Sequence, residues 1–91
     1  MKYTIRFSGQ FKKSYKLCKR RGYDMTELQT VLLILGEQGS LPAKYRPHLL
    51  SGNMAGIWEC HIQPDWLMLW QCNDSELTLL LLDTGTHSDI F

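Results

Sequence analysis

The sequence predicts an α+β domain with the element order β-α-α-β-β-β, on three observations. The chain opens on a run that alternates polar and apolar residues. Two segments with apolar residues at helical spacing follow. Three apolar runs, separated by turn-forming residues, fill the second half. In the opening run Tyr3, Ile5 and Phe7 alternate with Lys2, Thr4 and Arg6, the period of a half-buried strand. Ser8 and Gly9 supply a helix start. Phe11, Tyr15 and Cys18 then recur at helical spacing while Lys12, Lys13, Lys16, Lys19 and Arg20 occupy the remaining surface, so the first helix is amphipathic and strongly basic. The stretch RRGYD breaks it. Asp24, with Glu27 three positions on, predicts a capping box for a second helix carrying Met25, Leu28, Val31, Leu32 and Leu35 on one face, and Gly36 and Gly39 offer its stop. The segment SLPAKYRPHLLSGNMAG contains two prolines and several small-residue breaks, and reads as a long connection better suited to function than to packing. Ile57 to Ile62, Trp66 to Cys72 and Leu77 to Thr84 form the remaining strands, joined by QPD and NDSE, turn chemistry for antiparallel hairpins. The run LTLLLL predicts a strand buried on both faces or nearly so, which two helices over one side of the sheet partly explain.

Length and composition bound the class. A chain of 91 residues predicts one domain, spanning 1–91, able to bury roughly 60 to 68% of its unfolded surface without staples. With 44% hydrophobic residues and three prolines, it is neither disordered nor fibrous. Cys18, Cys60 and Cys72 are odd in number and lack C-x-x-C spacing, which points away from a disulfide framework or zinc knuckle and toward a reducing cytoplasm. The first ten residues lack the apolar core of a signal peptide, and no apolar run, Leu79 to Leu82 included, is long enough to cross a bilayer. A soluble, cytoplasmic protein with no membrane partner is expected. The net charge of +1 conceals an asymmetry. All ten Lys and Arg lie between Lys2 and Arg46, opposed there only by Asp24, Glu27 and Glu37, and the other six acids follow, so the two parts carry +7 and −6. Such a basic end fits either a polyanion-facing surface or a solvated helix face.

The stretch HIQPDWLMLW carries the chemical signal. Successive residues of a strand point to opposite faces, so Trp58, Cys60 and Ile62 share one face while Glu59 and His61 share the other, away from the helices. Across the QPD turn Asp65 and Trp66 begin the partner strand, which can bring an imidazole and a carboxylate within several ångströms of each other. A purely architectural account suffices for Pro64 and Asp65 as turn residues. His48 sits in the long connection and His87 follows the last strand, where Gly85 bends the chain. All three histidines thus lie at loops or strand ends. A lone histidine in such a place is usually solvated, but imidazole is the default proton-transfer group near neutrality. Three of them with one aspartate define a candidate catalytic set.

The pieces SGQFKK, YDM, LPAKYRPHLLSG, HIQPDW and the terminal TGTHSDIF resemble the YafQ branch of the RelE superfamily of bacterial type II toxins, from the first strand to the last residue. The resemblance implies a RelE-like fold: a short antiparallel sheet with two N-terminal helices packed on it, and room for a short C-terminal helical turn. It implies a toxin that acts as an endoribonuclease, cutting messenger RNA in the A site of the 70S ribosome and held inactive by a cognate antitoxin. A toxin-antitoxin heterotetramer that reaches operator DNA only through the antitoxin is the expected assembly. Carried over position by position, the family's functional residues fall on His48, His61, Asp65, Trp66, His87 and Phe91.

These residue types suit that chemistry. RNA carries its own nucleophile, the 2′-hydroxyl, so cleavage needs a base for that proton, donors for the charge building on the phosphate, and an acid for the departing 5′-oxygen, with neither metal nor cofactor required. His87 is expected as one proton-transfer partner, Asp65 as the other or as its orienter, and His61 and His48 as donors. Trp66 and Phe91 read either as core or as platforms for splayed bases. The family suggests ribosomal RNA contacts at Lys12, Lys16, Lys19, Arg20 and Arg21, with Lys44 and Arg46 nearer the substrate. Two rival readings are a non-catalytic module that binds antitoxin and operator, and a metal hydrolase built on the three histidines and Asp65. The second lacks the short helical H-x-x-x-H pairing.

Overall fold

The computed structural model describes residues 2–91. The chain runs β1 (Thr4–Phe7), α1 (Gly9–Arg20), α2 (Met25–Gln38), β2 (His48–Leu49), β3 (Trp58–Gln63), β4 (Trp66–Asn73), β5 (Thr78–Gly85) and α3 (His87–Ile90). Short 3-10 turns at Ala43–Tyr45 and Gly52–Met54 flank β2. The strands form one sheet of order β1-β5-β4-β3-β2. Every neighbouring pair is antiparallel except β1 with β5, which run parallel because α1 and α2 intervene between β1 and the hairpins. The α+β class and the order of the long elements are as expected, with β2 added at the far edge.

Local chemistry explains the helix ends. Ser8 caps α1 by accepting the Phe11 N–H at 3.0 Å, and its hydroxyl also donates to the Leu82 carbonyl at 3.0 Å, so one side chain ends the first strand and starts the helix. Lys19 and Arg20 in the last turn complement the helix dipole. Asp24 caps α2, but the reciprocal capping box does not form. Asp24 accepts from the Thr26 N–H at 3.1 Å, while the Glu27 carboxylate accepts from Gln63 Nε2 at 2.7 Å, a tertiary bond that outcompetes the local one. Gly39, at φ 71°, ends α2, and Gly36 lies within it. A Cβ on Gly39 would collide with the Tyr3 ring, so both the left-handed backbone and the close approach demand glycine.

Phe11 and Cys18 of α1 and Leu28, Val31 and Leu35 of α2 bury themselves against Cys60, Ile62, Trp66, Met68, Trp70, Leu79 and Leu81 on one face of the sheet. Each large apolar side chain so buried contributes roughly 1.5 to 3 kcal/mol. The LTLLLL run departs from expectation. Leu79 and Leu81 are buried while Leu80 is exposed, an ordinary alternation. The strand covered on both faces is instead β4, where Trp66, Leu67, Met68, Leu69 and Trp70 are all buried, because β4 occupies the middle of the sheet. No helix among the described residues is long and apolar enough to cross a membrane.

Candidate active site

Strand register builds the site. His48 stands opposite Glu59, Glu59 opposite Leu69, and His61 opposite Leu67. Facing residues on antiparallel strands project to one side, and residues two apart share it, so His48, Glu59 and His61 lie together on the face away from the helices, beside the buried Leu67 and Leu69. Leu67 in turn pairs with Gly85, from which the chain bends through Thr86 into α3 and delivers His87 to the same place. The three imidazoles form a row, with ring centroids 6.5 Å apart for His48 and His61 and 5.7 Å apart for His61 and His87.

Each end of the row has its own carboxylate. Asp65, on the tight turn between β3 and β4, places Oδ1 2.5 Å from His87 Nδ1, and the same oxygen accepts the His87 backbone N–H at 2.9 Å. That backbone donor first, and the imidazole second, hold the Asp65 carboxyl below its ordinary pKa. Both side chains are more than half exposed, at 53% for His87 and 65% for Asp65. With Nδ1 engaged, His87 Nε2 is the ring atom that can exchange a proton with a bound substrate. At the other end Glu59, its side chain 8% exposed, sets Oε1 3.3 Å from His48 Nε2 and 3.5 Å from His61 Nε2. These separations are longer than good hydrogen bonds and act mainly through charge. The Nδ1 atoms of the same two rings face carbonyls, His48 that of Arg46 at 2.9 Å and His61 that of Pro64 at 3.4 Å. A carbonyl only accepts, so His48 and His61 meet these oxygens through Nδ1–H, which leaves Nε2 of each ring facing Glu59.

The other expected residues divide. Lys44 and Arg46 line a cleft of about 320 Å³ with His61, Ile62, Gln63 and Pro64, next to the row. Phe91 is 61% exposed one helical turn beyond His87. Trp66 is 4% exposed, its Nε1 donating to Thr84 Oγ1 at 2.9 Å and its ring meeting Tyr23 edge-on at 4.8 Å, so it stands in the core behind Asp65 rather than on the open surface. Lys12, Lys16, Lys19 and Arg20 are exposed along α1. Arg21 differs from them. Its guanidinium grips Asp89 of α3 through two bonds, at 2.6 and 3.1 Å. Sequence reading missed Glu59, although the strand alternation that placed it beside His61 was the available signal. The Arg21–Asp89 pair, 68 residues apart, left no local signal. Among the described residues no group of three His, Cys, Asp or Glu is arranged to hold a metal ion.

Residues 3–91 match the family model described as the bacterial toxin of type II toxin-antitoxin systems, YafQ. The chain belongs to the YafQ toxin family. It is 35% identical to the mRNA interferase toxin YafQ of Escherichia coli K12 over 88 residues, covering 96% of this chain and 94% of that one. A crystal structure of a YafQ mutant from Escherichia coli superposes with a TM-score of 0.89 at 33% identity, over 98% of both chains. YafQ in the DinJ-YafQ complex of Escherichia coli gives 0.86 at 34% identity, over 98% of both chains. A metal-bound toxin from Helicobacter pylori gives 0.89 at 36% identity, over 98% of this chain and 99% of that one.

Proposed function

We propose that this chain is a ribosome-dependent endoribonuclease that cuts messenger RNA in the ribosomal A site and is held inactive by a cognate antitoxin. The observation that carries this reading is the row itself: three imidazoles at successive centroid separations of 6.5 and 5.7 Å, one of them paired with an exposed aspartate. In the proposed reaction the 2′-hydroxyl loses its proton to a base and attacks the adjacent phosphorus. The P–O5′ bond breaks, and the departing 5′-oxygen takes a proton from an acid, leaving a 2′,3′-cyclic phosphate and a 5′-hydroxyl. His87 Nε2, oriented through Nδ1 by Asp65, is one of the two proton-transfer groups. His61 and His48, held in place through Nδ1 by backbone carbonyls, supply donors at Nε2, shared between Glu59 and the substrate, to the charge that builds on the phosphate. Lys44 and Arg46 hold the neighbouring phosphates, exposed Phe91 offers a stacking surface, and Trp66 supports Asp65 from behind. The exposed cations of α1 supply ribosomal RNA contacts whose strength falls with salt.

By analogy with the DinJ-YafQ complex, the partner is an antitoxin, in a heterotetramer that meets operator DNA through that antitoxin. The deciding experiment maps cuts on ribosome-bound message with and without the protein. Cuts that keep reading-frame register, persist in chelator and require ribosomes support the reading. Register-free cutting, metal dependence, or growth arrest that survives loss of His87 sinks it.

A further inference from the structure

Four residues make a helix too short to hold itself, because nucleation costs more than one turn of hydrogen bonds returns. Yet α3 carries His87 and Phe91, and its position sets where His87 joins the row. Three tethers hold it. One is local: Thr86 Oγ1 accepts the Asp89 N–H at 3.1 Å while Asp89 Oδ2 accepts the Thr86 N–H at 2.9 Å, a complete capping box. The second is the Asp65 bond to the His87 backbone. The third is the Arg21 fork on Asp89, which ties α3 to the residue that ends α1.

The capping box and the fork share one carboxylate, so Asp89 joins the internal geometry of α3 to its external anchorage. Gly85 answers to the same side chain: a Cβ there would stand 2.7 Å from Asp89 Oδ2, so the bend into α3 closes only with Asp89 tucked against a bare backbone. Fork-and-carboxylate pairing fixes orientation as well as distance, which a point charge does not do.

We propose that Arg21 and Asp89 form a clamp that positions His87 for proton transfer, so that Arg21 serves the reaction from within the protein rather than as one more cation facing RNA. The inference rests on the nuclease reading for its catalytic consequence, but the clamp itself has a readout that does not. Charge alone and the clamp make opposite forecasts for Asp89→Asn. Removing an acid beside a basic helix strengthens attraction to a polyanion, whereas breaking the clamp misplaces His87.

The test compares Arg21→Gln, Asp89→Asn, their combination and Arg21→Lys. Amide hydrogen exchange at His87 is followed in the isolated protein, and steady-state cleavage is followed on ribosome-bound message. Exchange at His87 should quicken about 10-fold or more in both single variants, because the tether that keeps its N–H on Asp65 is cut. In both, kcat should fall at least ~10-fold with KM within about 2-fold, since small misplacements of a reacting group are costly. The double variant should be no worse than the poorer single, because both remove one interaction. Arg21→Lys, which keeps the charge and loses the fork, should fall between and serves if another variant does not fold. Wild-type exchange and cleavage in Asp89→Asn overturn the clamp, as does a rise in KM alone for Arg21→Gln. If the native protein cuts no message, the nuclease reading fails, and the exchange measurement still decides the clamp.

Discussion

The two ends of the histidine row pair imidazole with carboxylate in different surroundings. His87 and Asp65 meet in the open, both more than half exposed, at the short distance of 2.5 Å. Glu59 lies buried between His48 and His61 at 3.3 and 3.5 Å. An exposed pair is screened by water and contributes little to stability, whereas a carboxylate withdrawn from water acts more strongly over a longer reach. The open end is therefore suited to exchange protons, and the covered end to hold two donors still while charge develops beside them.

Removing the open end's ring should give the largest effect. His87→Ala is expected to cut message about 10² to 10⁴ times more slowly, the usual cost of losing a general acid or base, with an unchanged circular dichroism spectrum because the side chain is half in solvent. A variant that cleaves at the native rate would take His87 out of the reaction. Glu59→Ala comes next. It releases two rings at once, so cleavage should fall on the order of 10- to 100-fold. The imidazole resonances of His48 and His61 should shift while those of His87 stay, and Asp65→Asn should give the reverse pattern. If either substitution moved all three rings equally, the two ends would not be separate devices.

Behind both ends stands a polar contact whose loss should appear in stability rather than chemistry. The buried Thr84 hydroxyl accepts from Trp66 Nε1 at 2.9 Å and donates to the Leu67 carbonyl at 2.7 Å, tying the start of β4 to the end of β5. Thr84→Val keeps the volume and leaves both partners unpaired in the interior. It should lower the free energy of unfolding by about 2 kcal/mol, read from urea denaturation. An unchanged midpoint would mean that the strands find other partners.

How much of this was legible in the sequence follows from the range of each signal. Periodicity located the long strands and helices, because burial repeats every second or every third to fourth residue. The cap at Ser8 and the stop at Gly39 followed from local backbone chemistry. Strand β2 was not legible: two residues, both exposed, make no period, and they form a strand only because β3 offers an edge. The capping box at Asp24 failed because the helix end competes with Gln63, which the local pattern does not contain. In the site, alternation alone placed Glu59 and His61 on one face. That His48 and His87 join them depends on register across β2, β3, β4 and β5, and the family resemblance carried that part. Trp66 shows the limit of residue type, since an indole beside the Asp65 turn can face either way and here Thr84 and Tyr23 draw it inward.

The smallest expected effect separates the ends by pH. The folded Asp65 carboxyl is held below its ordinary value by the His87 backbone N–H and imidazole, while in the unfolded chain it titrates at that ordinary value. A carboxyl depressed on folding contributes stability that is fully present above its unfolded value and is lost as pH falls from there through its folded value. Native protein should therefore exceed Asp65→Asn in stability at neutral pH, and the gap should close as pH drops below about 4. Asp89, depressed chiefly by Arg21, and Asp74, depressed chiefly by the Tyr3 hydroxyl, contribute in the same sense, so Asp65→Asn removes only part of the acid dependence. Because the Asp65 pair is open to solvent, its gap at neutral pH should also shrink when salt rises from about 0.05 to 0.5 M, as the screening length falls to a few ångströms. Denaturant melts of both proteins at several pH values and two salt concentrations decide the point. A gap indifferent to acid and salt would mean that Asp65 acts through turn geometry alone, and the contrast between an open and a covered end would then rest on Glu59.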